Sequence, residues 1–136
     1  MALRDAIIAL QAHAATAGAN EYPDDPVEAN VAWPFSVCYP ATGRITAESS
    51  GIDKALHTLW MDVHVNRQDL PTDVQTMLSF MEAFLPLLVD DPTLGGAVQT
   101  ILMGEEAPIT YQFGEMEYAG VKTVGFRFTI TVKIRS

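Results

Sequence analysis

Cysteine is almost missing from this chain. Cys38 is the only one in 136 residues, so an intrachain disulfide framework is excluded and no second cysteine stands at metal-ligand spacing. Cys38 reads as a small apolar residue in a strand. Cations are scarce too: eight Lys and Arg stand against seventeen Asp and Glu, for a net charge of −9. Sequence-independent binding to nucleic acid phosphate needs the opposite surplus, whereas an acidic surface repels DNA. No run approaches the roughly 18–20 uninterrupted apolar residues of a membrane span. The opening stretch MALRDAIIALQAHAATAG is broken by Arg4, Asp5 and Gln11 and does not read as a signal peptide. A soluble domain, assembled in a reducing compartment, is the expectation. Also missing are a P-loop, GxGxxG, HExxH, GxSxG and CxxC; Gly95-Gly96 is followed by Ala97-Val98, without the Lys-Ser/Thr of a phosphate cradle.

What is present is a core. Nearly half the residues are hydrophobic, and 136 residues bury roughly two thirds of their unfolded surface as one domain, here 1–136. Leu3, Ala6, Ile7, Leu10 and Ala14 make a helical stripe that ends near Gly18, a C-cap position, with His13 beside it. Residues 19–31 form a loop rich in turn residues. Its acids Glu21, Asp24, Asp25 and Glu28 lack the spacing and glycine of a calcium loop. Trp33, Phe35, Val37 and Tyr39 alternate with polar or small residues and prolines, which reads as an edge strand. The Gly/Ser/Thr-rich stretch 41–53 is expected to be a mobile connection.

A second strand, 54–67, places His57, Leu59, Met61, Val63 and Val65 on one side and Leu56, Thr58, Trp60, Asp62, His64 and Asn66 on the other. A helix follows from Thr72, with Gln75 completing a capping box and Val74, Met77, Leu78, Met81, Phe84, Leu85 and Leu88 as its apolar side. Pro86 is expected to kink or end it, and Asp90-Asp91-Pro92 is a second stop. Leu94-Gly95-Gly96 offers positions that tolerate positive φ. Short strands are expected at 99–103 and from Ile109. The last strand sets Val124, Phe126, Phe128, Ile130, Val132 and Ile134 against Gly125, Arg127, Thr129, Thr131, Lys133 and Arg135. The predicted class is α+β: an antiparallel sheet of about four main strands with two helices packed on one face.

Two constellations invite a functional reading. Asp62 and His64 share a strand face and could form a ligand pair or an acid/base dyad, although a dyad needs a third group. His57 lies an odd offset from His64, so the two histidines face opposite sides. No catalytic, cofactor-binding or metal residue is assigned. The other constellation is electrostatic. Residues 69–91 hold five acids and no cation, whereas 120–136 hold four cations and no acid. Unlike faces on one small domain suit head-to-tail association in a closed ring.

Three segments resemble a known family. The run from Leu56 to Val65, LHTLWMDVHV, leading into Leu70-Pro71, the segment DPTLGGAV from Asp91 to Val98, and the closing strand GFRFTITV from Gly125 to Val132 are together similar in order and spacing to the tail terminator, or tail completion, proteins of long-tailed bacteriophages. The resemblance implies a structural virion protein at the head–tail junction, assembled in the host cytoplasm, with no cofactor and no catalytic residue. It implies a homo-oligomeric ring, commonly hexameric, on the head-proximal end of the tail tube. Its partners would be the tail tube protein and the head connector or a head-completion protein, with DNA passing through unread. Interface candidates are Arg127, Thr129, Thr131 and Lys133 on the last strand, Asp73 and Glu82 on the helix, and Arg44 in the 41–53 stretch. Alternatives are another neck or minor tail protein, or a small metal protein or enzyme using Asp62 and His64.

Overall fold

The computed structural model describes residues 2–23, 33–48, 51–66, 70–118 and 120–135. The acids Asp24, Asp25 and Glu28 of the first loop lie outside them. Seven elements follow in order: α1 (Ala2–Ala17), β1 (Phe35–Glu48), β2 (Gly51–Asn66), α2 (Leu70–Asp90), β3 (Thr100–Leu102), β4 (Thr110–Tyr118) and β5 (Val121–Arg135). The strands form one antiparallel sheet in which β5 is the hub. It pairs with β2 on one edge and on the other with β4 along its first half and β3 along its second. β1 pairs only with β2 and closes the opposite edge. The chain is therefore α+β, with both helices on one face.

That face holds the core. Leu59, Met61 and Val63 of β2 and Phe126, Phe128, Ile130 and Val132 of β5 lie buried beneath Leu10 and Ala14 of α1 and Met77, Phe80, Phe84 and Leu88 of α2. Phe84 stacks between Phe80 and Phe128, with ring centroids 5.4 Å from each. Burial of such rings contributes about 2–3 kcal/mol each. Period-two alternation in β2 and β5 predicts this face correctly.

α1 ends as its sequence suggests. Gly18 takes φ +125, its N–H reaches the Ala15 carbonyl at 3.2 Å, and the Ala19 N–H reaches Ala14 at 2.9 Å, the paired closure of a glycine-capped helix. α1 also carries a polar surprise. Gln11, fully buried, donates from Nε2 to the carbonyls of Pro23 and Ser36 at 2.8 Å each and accepts from Ser36 Oγ at 2.7 Å. It ties the helix to the start of β1.

Several expectations need correction. The described residues of the 41–53 stretch, 41–48 and 51–53, are strand and not a loop: β1 runs on to Glu48 and β2 starts at Gly51, their register shifting at 40–42 and 46–47. Thr and Ile suit a pleated pair as well as a turn, and pairing with β2 decides the matter. The helix begins by Leu70, so Thr72 is inside it and Pro71 occupies the first turn, where a missing N–H costs nothing. α2 then passes through Pro86 to Asp90; Phe84 and Leu88, both fully buried, anchor the turns on either side. The inward stripe is Asp73, Met77, Phe80, Phe84 and Leu88, so Phe80 joins the core while Leu78 is exposed. Finally, Tyr111 and Phe113, on the apolar side of β4, are exposed because no described helix covers that strand.

Gly125 is required by close approach. A Cβ there would overlap the Val63 carbonyl oxygen and press on Met116 Sδ at 2.9 Å, whereas one at its cross-strand partner Gly114 would meet nothing within 4 Å. Gly125→Ala should therefore cost at least about 2–3 kcal/mol, and Gly114→Ala less than about 1 kcal/mol. Urea midpoints of the two variants read the contrast directly. Equal midpoints would show that β2 and β5 can part at this point without cost.

Candidate functional site

The sheet face turned away from the helices is not simply wet. The register sets Tyr39 opposite Trp60, and Asp62 opposite Val37 on one side and Arg127 on the other. Asp62 is buried, yet both its oxygens are used. Arg127 Nε donates to Oδ1 at 2.9 Å and an Arg127 terminal nitrogen to Oδ2 at 3.2 Å, while the Tyr39 hydroxyl donates to Oδ2 at 2.8 Å. The same terminal nitrogen reaches the Tyr39 hydroxyl at 3.2 Å. The guanidinium lies 4.2 Å from the Trp60 ring centroid, and Tyr39 meets Trp60 edge to face. A planar fork matched to a carboxylate and stacked on an aromatic ring is the arrangement that suits arginine and not lysine.

Electrostatics follow from that geometry. Burial, then the bond to Asp62, pushes the Tyr39 phenol up to about 12, so it stays a proton donor. Arg127 is raised by its bonds to Asp62. Burial, reinforced by the Asp62 charge, pushes the Cys38 thiol up to about 12, which removes thiolate chemistry at neutral pH. Arg127, Asp62 and Glu117 line an open hollow of about 280 Å³ together with Gln112, Gly114 and Glu115 of β4.

Next to this cluster, His64 is packed between Phe35 and Tyr118, with ring centroids at 5.9 and 5.5 Å. Nδ1 shares a hydrogen with Thr123 Oγ1 at 2.7 Å, and Nε2 is buried without a hydrogen-bond partner. Phe35 and Tyr118 also meet edge to face at 4.8 Å, so the end of β4 closes over the start of β1. Burial lowers the His64 pKa; the Asp62 charge opposes that and Arg127 adds to it.

Asp62 and His64 thus share a face, as the strand alternation requires, but their bonded partners differ: Arg127 and Tyr39 for one, Thr123 for the other. No group of three His, Cys, Asp or Glu positioned to hold a metal occurs among the described residues. His57 points to the helix side, its Nδ1 beside Gly43. His13 binds Asp91 Oδ2 at 2.8 Å. Tyr39 and Trp60 were legible as strand residues, whereas their meeting with Arg127 depends on a cross-strand register that no local pattern specifies.

The interface candidates separate into two groups. Arg127 is committed to Asp62 and Trp60, Thr131 Oγ1 lies 3.3 Å from Thr58 Oγ1, and Asp73 is buried. Asp73 therefore cannot serve as an outward acidic contact: α2 is rotated so that this residue lines up with Met77 and Phe80. Thr129 is half-buried beside Trp60 and Tyr111 around an open hollow. Lys133 is half-buried, and Glu82 and Arg44 are exposed; these three remain available at the surface.

The Asp91–Val98 segment proves to be a coiled turn. Leu94, Gly95 and Gly96 take φ values of 50, 68 and 92 in succession. Asp91 Oδ1 accepts the Gly95 N–H at 2.9 Å, and that bond, with His13, lowers the Asp91 pKa. Leu94 adopts the left-handed region at a cost of about 1–2 kcal/mol, offset by burial of its side chain. The turn is joined to the sheet where the Gln99 N–H reaches the Lys133 carbonyl at 2.8 Å. No protein-family model matches the chain, and no curated protein matches it in sequence.

Two outcomes test the outer face. Arg127→Met leaves a buried carboxylate without its cation and should cost about 2–4 kcal/mol, lowering the melting temperature by roughly 10 °C; adding Asp62→Asn should restore part of it. A double variant no more stable than the single one would mean that the ion pair is not the source. For His64, the unfolded chain takes up its proton near pH 6.5 and the folded chain only at lower pH. Stability present above that pH is lost as the pH falls below it. Denaturant titrations at pH 7.5 and 5.5 should show a smaller loss in His64→Gln than in the parent, and an equal loss would place the effect elsewhere.

Proposed function

We propose that this chain is a structural component of a bacteriophage tail: a ring on the head-proximal end of the tail tube that ends tube growth and offers the surface to which the head is joined. The observation that carries the reading is the three-part sequence resemblance. In the fold its parts fall together: LHTLWMDVHV is β2, GFRFTITV is the part of β5 that pairs with it, and DPTLGGAV is the coiled turn delivering β3 to the other edge of β5. The α+β sheet with both helices on one face accords with that family's expected architecture. DNA passing through such a ring meets a chain of net charge −9, which repels phosphate instead of trapping it.

Association of unlike faces remains part of the reading, with its residues narrowed. On the acidic side Glu82 and Asp90 are exposed, while Asp91 is held by His13 and the Gly95 N–H. On β5 Lys122 is exposed and Lys133 half-buried, Lys122 on the helix side of the sheet and Lys133 on the outer face. Reversing Arg127 would set a second carboxylate against buried Asp62 and damage the fold, so it is a poor probe of assembly. Lys133→Glu and Glu82→Lys are better ones. Each alone should weaken ring formation several-fold in native mass spectrometry, at unchanged circular dichroism, and the pair combined should recover part of it. Electron microscopy of the protein mixed with tail tubes should show rings capping tube ends. A chain that stays monomeric alone and ignores tail tubes would overturn the proposal.

A further inference from the structure

The sheet ends in two open edges, and both carry exposed apolar side chains. Among the described residues the large hydrophobic side chains exposed on strands are Ile45 on β1, at 61%, and Tyr111 and Phe113 on β4, at 55% and 45%. Among the described residues β1 has a backbone neighbour on its outer side only at its start, through Glu21. β4 pairs with β5 alone. Natural edge strands are usually blunted by lysine, proline or a bulge. β4 has no lysine or proline in its nine residues. β1 has Pro40 and an irregularity beside it, but neither from Thr42 to Thr46.

We infer that the outer edge of β4 in one copy pairs with the Thr42–Thr46 edge of β1 in the next copy, continuing the sheet from subunit to subunit. The inference deepens the ring reading and rests on it for the partner being a second copy of this chain. Strand direction supports it. β1 opposes β2, β2 opposes β5 and β5 opposes β4, so β1 and β4 run in opposite directions. About a ring axis running broadly along the strands, the rotation that carries one subunit onto the next preserves those directions and the junction is antiparallel, the more stable pairing. β4 lies level with Phe35–Tyr39 and Thr42–Thr46 lies level with β3, so the two edges meet with a stagger along the strands, as in a barrel whose strands tilt from its axis. The faces agree as well. Ile45 pairs with Ala55 on the helix side of the sheet. Tyr111 and Phe113 pack against Phe126 on that same side.

Charge selects between edges. β4 holds Glu115 and Glu117 and no cation, whereas the Thr42–Thr46 edge of β1 holds Arg44 and no acid. Two β4 edges facing each other would oppose acids to acids, and two β1 edges would oppose Arg44 to itself. Only β1 against β4 joins unlike segments. Arg44 and the β4 acids alternate onto different faces, so the attraction steers the edges together without forming an ion pair. Such a contact is head-to-tail, and closes into a ring or runs on as a fibre.

Complementation tests this. Ile45→Lys blocks the β1 edge, and Tyr111→Lys/Phe113→Lys blocks the β4 edge. In native mass spectrometry each should be monomeric alone, and a one-to-one mixture should form heterodimers through the single intact pair of edges. In a second measurement, independent of whether the double lysine variant folds, Ile45→Cys mixed with Phe113→Cys should give a mixed disulfide dimer under mild oxidation, with buried Cys38 silent. Homodimers of Phe113→Cys alone would overturn the head-to-tail pairing in favour of a twofold one. Rings that survive both edge variants would overturn the strand pairing and leave the ring itself standing. A parent chain that is monomeric alone and on tail tubes would remove both.

Discussion

Three of the other four strands are fastened to β5. Most of its fifteen residues are paired along both edges, to β2 on one side and to β4 and then β3 on the other. A strand paired twice must satisfy two registers at once, and its side chains must serve two faces. Phe126, Phe128, Ile130 and Val132 serve the helix side, where α2 covers them. Thr123, Gly125 and Arg127 serve the other, and each answers a different demand: Thr123 bonds His64, Gly125 lets β2 pass closely, and Arg127 neutralises Asp62. Loss of a core phenylalanine there would cost about 3–5 kcal/mol, but loss of the alternation itself would remove both faces together.

The outer face shows why a polar strand surface cannot be equated with a wet one. Asp62, His64 and Thr123 are all buried there, and so are Phe35 and Val37. They are covered because β4 folds its far end, with Met116 and Tyr118, over the start of β1. Burying a carboxylate is tolerable only when its charge and lone pairs are met, and here a guanidinium fork and a phenol meet them. At Nε2 of His64 the match is incomplete. An incomplete match of this kind makes the contact between β4 and β1 sensitive to acid, since a proton on His64 would add charge where nothing receives it.

Much of this was legible in the chain. Alternation in Leu59–Val65 and Val124–Val132 assigns the core face residue by residue, and Gly18 and Asp90-Asp91-Pro92 mark helix ends where they occur. Strands of this length announce themselves because period two has no local competitor. What could not be read were choices between near-equal local options. Thr, Gly and Ile at 42–46 suit a turn or a pleat, and only pairing with β2 selects the pleat. Leu78 and Phe80, two positions apart, point to nearly opposite sides of α2, and the rotation that sets Phe84 against Phe128 buries Phe80 and exposes Leu78. Gln11 interrupts an apolar stripe, yet it bonds two carbonyls and a hydroxyl that would otherwise be orphaned.

A residue's charge in the sequence is a statement about potential partners, and the fold spends some of that potential internally. Arg127 goes to Asp62, Asp91 to His13 and the Gly95 N–H, and Asp73 is turned inward with the core. The charges available to a neighbour are therefore those the strands and helices leave over, such as Glu82 on α2 and Lys122 on β5. Backbone hydrogen bonding obeys the same subtraction. β2 and β5 use both of their edges, so strand addition can occur only at β1, β4 and the three-residue β3. The long open edge at each end of the sheet, apolar at both and acidic at one, is what the proposed pairing of copies draws on.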